Sequence, residues 1–362
     1  MAYALSSVAR PLLSTAVGIP KGVLAVLPLT SNVAQILMRP IFGVLCDRYG
    51  RKIFMTIGAS LYLLSYLYQS FAQSALDMIL ASFILGSAVS MFWTSIMAYT
   101  ADVAKDSKES AGELLTFAFS GTVLGSLFSG VVAEFLGWRT TLQISALLVA
   151  LAFVLGIFLE DTFVGEIEIS WVQSLKISYK IAGKTISNVS SLGLKPILRT
   201  YLPVILVDMG VSQTVTGLVI MLDPVITTIA QKPSVTLSRK HWFSVFKLNV
   251  LGALSLALFC ISVTYNALIL SILSYITFST LSSLIPSPQL GEVAKNKDVR
   301  GSSVGGYGVA MSASRLLASS SATLGGSIVT GYYVPVSAVL TAVTISLIVS
   351  IGSKLLYITH RT

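Results

Sequence analysis

The sequence predicts an all-α integral membrane protein of twelve transmembrane helices, built as two pseudo-symmetric six-helix halves. Three observations predict it. The chain of 362 residues is 54% hydrophobic and 11% charged, whereas a soluble domain carries roughly 25% charged residues. No soluble core absorbs that much apolar surface, so lipid is the solvent for most of the chain. The apolar stretches run for about twenty residues without alternation, which suits helices, since a span must satisfy its own backbone hydrogen bonds. Charged motifs also recur at matching places in the two halves.

Twelve apolar segments can be read in order: 1–17, 23–46, 53–72, 76–101, 114–135, 139–159, 187–207, 215–237, 243–264, 266–290, 303–331 and 335–358. The first is too short to cross about 30 Å at 1.5 Å per residue. Arg10 interrupts it, which argues against a signal peptide. The expectation is therefore that the chain begins inside helix 1. Positive residues fix the orientation. If the loop with Arg48, Arg51 and Lys52 is cytoplasmic, alternate loops also hold Lys105, Lys108, Lys176, Lys180, Lys184, Arg239, Lys240, Lys247, Lys295, Lys297, Arg300, Lys354 and Arg361. The other side holds Lys21 and Arg139. Both termini of a cell-membrane protein are then cytoplasmic. The net charge of +9 is explained by these loops and calls for no nucleic acid.

The loop 160–186 opens with Glu160, Asp161, Glu166 and Glu168, then turns basic in "WVQSLKISYKIAGK". Lys176, Lys180 and Lys184 recur every four residues there. That spacing suits an amphipathic helix on the cytoplasmic face, or a solvated linker helix. It divides the chain into 1–159, a linker 160–186, and 187–362. "RPIFGVLCDR" (39–48) aligns with "KPSVTLSR" (232–239), and "DVAKDSKESAG" (102–112) with "EVAKNKDVRGS" (292–302). Such duplication marks transporters that rock one half against the other.

The run Gly43-Val44-Leu45-Cys46-Asp47-Arg48-Tyr49-Gly50-Arg51-Lys52 resembles the helix 2–3 loop signature of the major facilitator superfamily, G-x-L-x-D-R-x-G-R-K. The resemblance implies the major facilitator fold over the whole chain and a secondary transporter working by alternating access, not an enzyme. It implies that Asp47 faces the N-terminus of helix 11 near Gly301-Ser302-Ser303, and that Arg51 reaches Asp102 at the end of helix 4. Gly43, Asp47, Arg48, Gly50, Arg51, Lys52 and Asp102 would then form a cytoplasmic gate. The alternative is that the basic residues only set topology. Proton-coupled members often carry an Arg where Ser82 stands, and drug antiporters a Gly-Pro pair where Gly125-Ser126 stands. The match to those subgroups is correspondingly poorer.

Six basic residues fall inside apolar segments: Arg10, Arg39, Lys195, Arg199, Lys232 and Arg315. Each would cost about 2.5–3.5 kcal/mol at a helix centre facing lipid. Arg39 and Lys232 lie near segment ends and are expected to snorkel. Lys195 and Arg199 share a face of one helix, with Asp223 as the acid inside a span. Unless the helix 7 boundary is misplaced, Lys195, Arg199, Arg315 and Arg10 serve either as structural ion-pair partners or, with Asn32 and Asp223, as an anion site. Asn32, Gln35 and Arg39, which share a face of helix 2, and Trp93, Tyr99 and Tyr307 on helices 4 and 11 are weaker cavity candidates. No G-x-x-x-x-G-K-[ST] loop for ATP is present, and no Ser/His/Asp set is legible. Neither the cysteines, Cys46 and Cys260, nor the histidines, His241 and His360, suggest a metal site. The expectation is a small organic anion as substrate, with a proton or counter-ion as coupling partner, lipid as surroundings, and no cofactor, metal or catalytic residue. The rivals are an exporter of lipophilic drugs, a non-transporting relative, and a membrane enzyme.

Overall fold

A computed structural model describes residues 1–103, 107–161, 171–238, 244–265, 267–293, 300–328 and 334–359. Lys105, Glu166, Glu168, Arg239, Lys240, Lys295, Lys297, Arg361 and both histidines lie outside them. Among the described residues the chain forms fourteen α-helices. These are α1 (Ala2–Ala16), α2 (Val26–Tyr49), α3 (Lys52–Phe71), α4 (Ala75–Val103), α5 (Ser107–Leu136), α6 (Trp138–Ile157) and α7 (Trp171–Val189). They continue as α8 (Leu194–Asp208), α9 (Gln213–Leu237), α10 (Val245–Thr264), α11 (Leu268–Ser283), α12 (Pro286–Val293), α13 (Arg300–Ile328) and α14 (Val334–Thr359). By length and composition, six helical stretches among the described residues are apolar enough to cross a membrane: 21–49, 75–103, 112–136, 138–157, 213–231 and 246–264.

Glycine sets the tightest turns. Gly50 (φ 94°) ends α2, and Gly137 (φ 84°) alone separates α5 from α6. Both lie in the left-handed region that side chains disfavour. Two apolar segments are interrupted. The segment 187–207 begins in the tail of α7, passes through a 3-10 turn at Ser190–Gly193, and resumes as α8. The segment 266–290 splits into α11 and α12 at Pro286, which opens the new helix because its missing N–H is not needed there.

Beside a buried apolar core, large apolar side chains also face outward and polar ones inward. Phe117, Phe135, Leu147 and Ile229 are exposed, while Asn32, Gln35, Ser65, Gln69, Ser82 and Ser90 are buried. This is the pattern of a bundle whose solvent is lipid. Small residues let the helices meet closely. Gly86 of α4 lies on the Ser31 backbone of α2, and Gly130 of α5 lies on Gln213 at the start of α9.

α13 packs against α2, α4, α7, α8 and α14. On α7, Ser174, Ser178, Ala182 and Thr185 are buried, whereas Lys176 and Lys180 are exposed. The Ser178 hydroxyl donates to the Ser302 carbonyl at 2.7 Å. Gly306 rests on Ser178, and Gly193 rests on Ser314. α7 and the 3-10 turn thus run along α13 in the same direction. A row of small side chains fits this close approach, and Lys176 and Lys180 point away.

Candidate functional site

The motif run forms a compact buried cluster where α2 ends. Gly43 allows α2 to touch α13: a Cβ there would sit 2.8 Å from the Gly301 carbonyl oxygen. The Asp47 carboxylate accepts from the Gly301 N–H (2.7 Å), the Ser302 N–H (2.7 Å) and the Ser302 hydroxyl (2.8 Å). These are charge-assisted bonds at a helix N-terminus, where the dipole also favours an anion. Arg51 lies 3.3 Å from Asp47 and 2.9 Å from Asp102, and it donates to the Cys46 carbonyl. Arg51 and Asp47 are 7% and 3% exposed, so neither is screened by water. Arg48 and Lys52 are half-buried beside them. An acid that sequence reasoning missed joins this cluster. Asp161, just beyond α6, accepts from the Arg51 backbone N–H at 3.2 Å and packs on Gly50.

A second cluster lies deeper in the bundle. Lys195 Nζ donates to Asp223 Oδ1 (2.9 Å), the Thr227 hydroxyl (3.2 Å) and the Ser283 hydroxyl (3.2 Å). An ammonium has three N–H donors, so the protein occupies all of them. Arg199 meets Asp223 Oδ2 at 2.6 Å, and Ser279 also donates to that carboxylate. The i, i+4 spacing of Lys195 and Arg199 aims both at α9, with Asp223 between them.

The remaining cations have no such partner. Arg10 donates to the Ser82 hydroxyl at 2.7 Å. Arg315 is half-buried, and its Nε has no hydrogen-bond partner among the described residues. It lies within electrostatic reach of Arg199 and Tyr307. Among the described residues no carboxylate pairs with Arg10, Arg39 or Arg315. Asn32 belongs to another network: its Oδ1 accepts weakly from Gln35 (3.4 Å). Gln35 Oε1 in turn accepts from Arg39 at 2.7 Å.

Arg39 departs from the sequence reading. It is 7% exposed and lies against α13 instead of snorkelling to an interface. The Lys232 side chain is outside what the structure describes. Among the described residues no group of three or more His, Cys, Asp or Glu side chains gathers to hold a metal.

Contacts also join early and late parts of the chain at the far end of the bundle. Lys21 meets Asp208 at 2.6 Å, Trp138 Nε1 donates to Gln213 at 3.1 Å, and Tyr201 donates to the Gly22 carbonyl at 2.9 Å.

Among curated proteins, the chain is 22% identical over 160 residues to the "Nitrite extrusion protein" of Bacillus subtilis (strain 168), covering 44% of this chain and 40% of that protein. It is 24% identical over 200 residues to the "Multi-drug resistance efflux pump PmrA homolog" of Lactococcus lactis subsp. lactis (strain IL1403), covering 52% and 49%. The chain thus spans about half the length, or less, of these two relatives. Among solved structures it resembles the proton:xylose symporter XylE bound to 6-bromo-6-deoxy-D-glucose (TM-score 0.61, 14% identity, 95% and 93% coverage). It also resembles the partially occluded inward-open form of the xylose transporter XylE from E. coli (TM-score 0.65, 14% identity, 96% and 93% coverage). At that identity the likeness speaks for the fold. The family model for the Major Facilitator Superfamily matches residues 1–319, and the chain belongs to that superfamily of membrane transporters.

Proposed function

We propose that the protein is a secondary transporter that moves a small anion, in the first instance an organic acid, by alternating access. Twelve helices in two six-helix halves, 1–159 and 187–362, would rock about a central site. Both termini and the 160–186 linker would face the cytoplasm, and a proton or counter-ion would be coupled to the movement. The observation that carries this reading is the charge imbalance inside the bundle. Arg10, Arg39, Lys195, Arg199 and Arg315 are matched there by Asp223 alone among the described residues. Isolated buried cations are expensive, and a bound anion removes that cost. Guanidinium forks suit carboxylates and related oxyanions because they bond two oxygens at once. In this scheme Arg199, Arg315 and Arg10 meet the substrate. Lys195 holds Asp223, and Asn32 supports the neighbouring α2 network. Gly43, Asp47, Arg48, Gly50, Arg51, Lys52 and Asp102 brace the cytoplasmic gate.

The relative named for nitrite extrusion supports an anionic substrate; the one named for multidrug efflux keeps export of lipophilic compounds as the second reading. Flux into proteoliposomes separates them. Acetate, succinate, phosphate and nitrite should be carried or should compete, and tetraphenylphosphonium should not. Transport confined to the lipophilic cation would overturn the anion reading. No flux with any solute would favour a non-transporting relative.

A further inference from the structure

We propose that Arg39 and Arg315 form a two-guanidinium subsite between α2 and α13, with Tyr307 beside them, that receives the oxyanion head of the transported substrate. This rests on the anion reading above and assigns Arg39, which that reading left without a role at the substrate.

The geometry begins with Arg39. It is buried within α2, facing the small-residue stretch of α13. One edge of its fork is fixed by Gln35 Oε1 at 2.7 Å, and the same oxygen accepts from Ser312 of α13 at 3.2 Å. Gly308 forms the notch in which the guanidinium lies, since a Cβ there would collide with Arg39 Nη1. Neutral groups therefore hold this cation in place without neutralising it. Its Nε has no partner among the described residues, and neither has the Nε of Arg315 nor the hydroxyl of Tyr307, a residue 4% exposed. Tyr307 directly precedes Gly308 on α13, and Arg315 lies seven residues beyond it, about two turns along the same face, where a helical side chain leans back toward the N-terminus.

Two like charges held near each other, each with an unused N–H, together with an unused phenol O–H, make a set of donors lacking an acceptor. A buried donor left unsatisfied costs about 1–3 kcal/mol, more when charged. A group with two or more anionic oxygens offers acceptors to such donors and screens the repulsion. Carboxylate, nitrite and phosphoryl heads share that chemistry. A halide offers no oxygen geometry, and a cation adds to the repulsion.

The test measures thermal unfolding of the full-length purified protein in detergent at constant ionic strength. Nitrite, acetate, succinate and phosphate are titrated against chloride. The parent should be stabilised by at least one oxyanion. Arg39→Gln and Gly308→Ala should each raise its half-saturation concentration by about tenfold, the equivalent of about 1.4 kcal/mol, and Arg39→Lys by less. On the unmutated protein, the same oxyanion should slow modification of Arg39 by phenylglyoxal, read by peptide mass spectrometry. That readout does not depend on a variant folding. Suppose the oxyanion stabilises the parent and Arg315→Gln weakens its binding, but Arg39→Gln binds as the parent does. The subsite is then wrong and the anion reading stands. Unslowed modification of Arg39 in the stabilised parent has the same meaning. If no oxyanion stabilises the parent, both fall.

Discussion

Arg315 and Lys195 sit in neighbouring parts of one polar interior but are bonded in opposite ways. Lys195 spends its three protons on protein acceptors, so its loss should act mainly on stability. Arg315 has donors left over, so its loss should act mainly on transport. Arg315→Lys keeps the charge and loses the fork, and Arg315→Gln loses both. Since a charged hydrogen bond contributes about 1.5–3 kcal/mol, Arg315→Gln should lower kcat/KM for anion flux about tenfold or more. Arg315→Lys should fall between it and the parent. Equal flux from all three would remove Arg315 from the site. Asp223→Asn strips the carboxylate from two cations at once. Breaking one partner of a buried pair costs about 3–5 kcal/mol, so this variant should unfold at clearly lower temperature. Adding Lys195→Met should recover part of the loss, because the two residues touch and their effects are not additive.

The Lys195–Asp223–Arg199 group was legible because i, i+4 spacing and a lone intramembrane acid are sequence properties. Arg39 was legible as a buried group only in part, through the face of helix 2 that it shares with Asn32 and Gln35. Its place near a segment end fits snorkelling, and what holds it inside is the Gly308 notch on a helix far away in the chain.

The α2–α13 contact shows what a motif can convey about elements. Gly43, Asp47 and Arg51 lie within ten residues, and family resemblance supplied their partners. Asp161 lies in no motif, and neither spacing nor hydropathy marks its return to the α2–α3 turn. The breaks at Ser190–Gly193 and before Pro286 were harder to read, because hydropathy continues across both and marks no helix end. The small-residue face of α7 was read as half of an amphipathic surface helix. Serine and alanine are polar or apolar by context, and here they permit close packing on α13.

If the α2–α13 seam braces the gate, Asp47→Asn should weaken it by replacing an anionic acceptor with a neutral amide. A loss of about 1.4 kcal/mol shifts the ratio of the two access states tenfold. Cysteine labelling from the side where α2 ends should rise accordingly. Gly43→Ala should act in the same direction by forcing α2 away from the Gly301 carbonyl. Unchanged access in both variants would leave the motif with a topological role alone.

For the whole molecule, the charge census and the interhelical contacts make joint demands. The proposed orientation puts Val172 inside and Lys21 outside. The native cysteines, Cys46 and Cys260, are both buried, so single reporters can be read against a low background. Val172 is 60% exposed and serves better than Ser174, which faces α13. In intact cells an impermeant thiol reagent should label Lys21→Cys and spare Val172→Cys; the reverse would invert the topology.

Contacts tie early to late chain at both ends of the bundle, and their strengths differ. Lys21 and Asp208 are 50% and 28% exposed. A solvated pair of that kind contributes about 0–1 kcal/mol and is screened by salt. At the other end, Asp47 is buried and accepts three hydrogen bonds, each worth about 1.5–3 kcal/mol when charged. Of these two charged contacts the one at Asp47 is the stronger, so its loss should shift the balance between the two faces more than loss of the Lys21–Asp208 pair. Lys21→Gln should change labelling at the Lys21 mouth less than about fivefold, an effect of under about 1 kcal/mol, and raising the salt should mimic it in the parent. Asp47→Asn should change labelling at its own mouth about tenfold and should be insensitive to salt. If Lys21→Gln opened its end as widely as Asp47→Asn opens the other, burial would not be what sets the balance between the two faces.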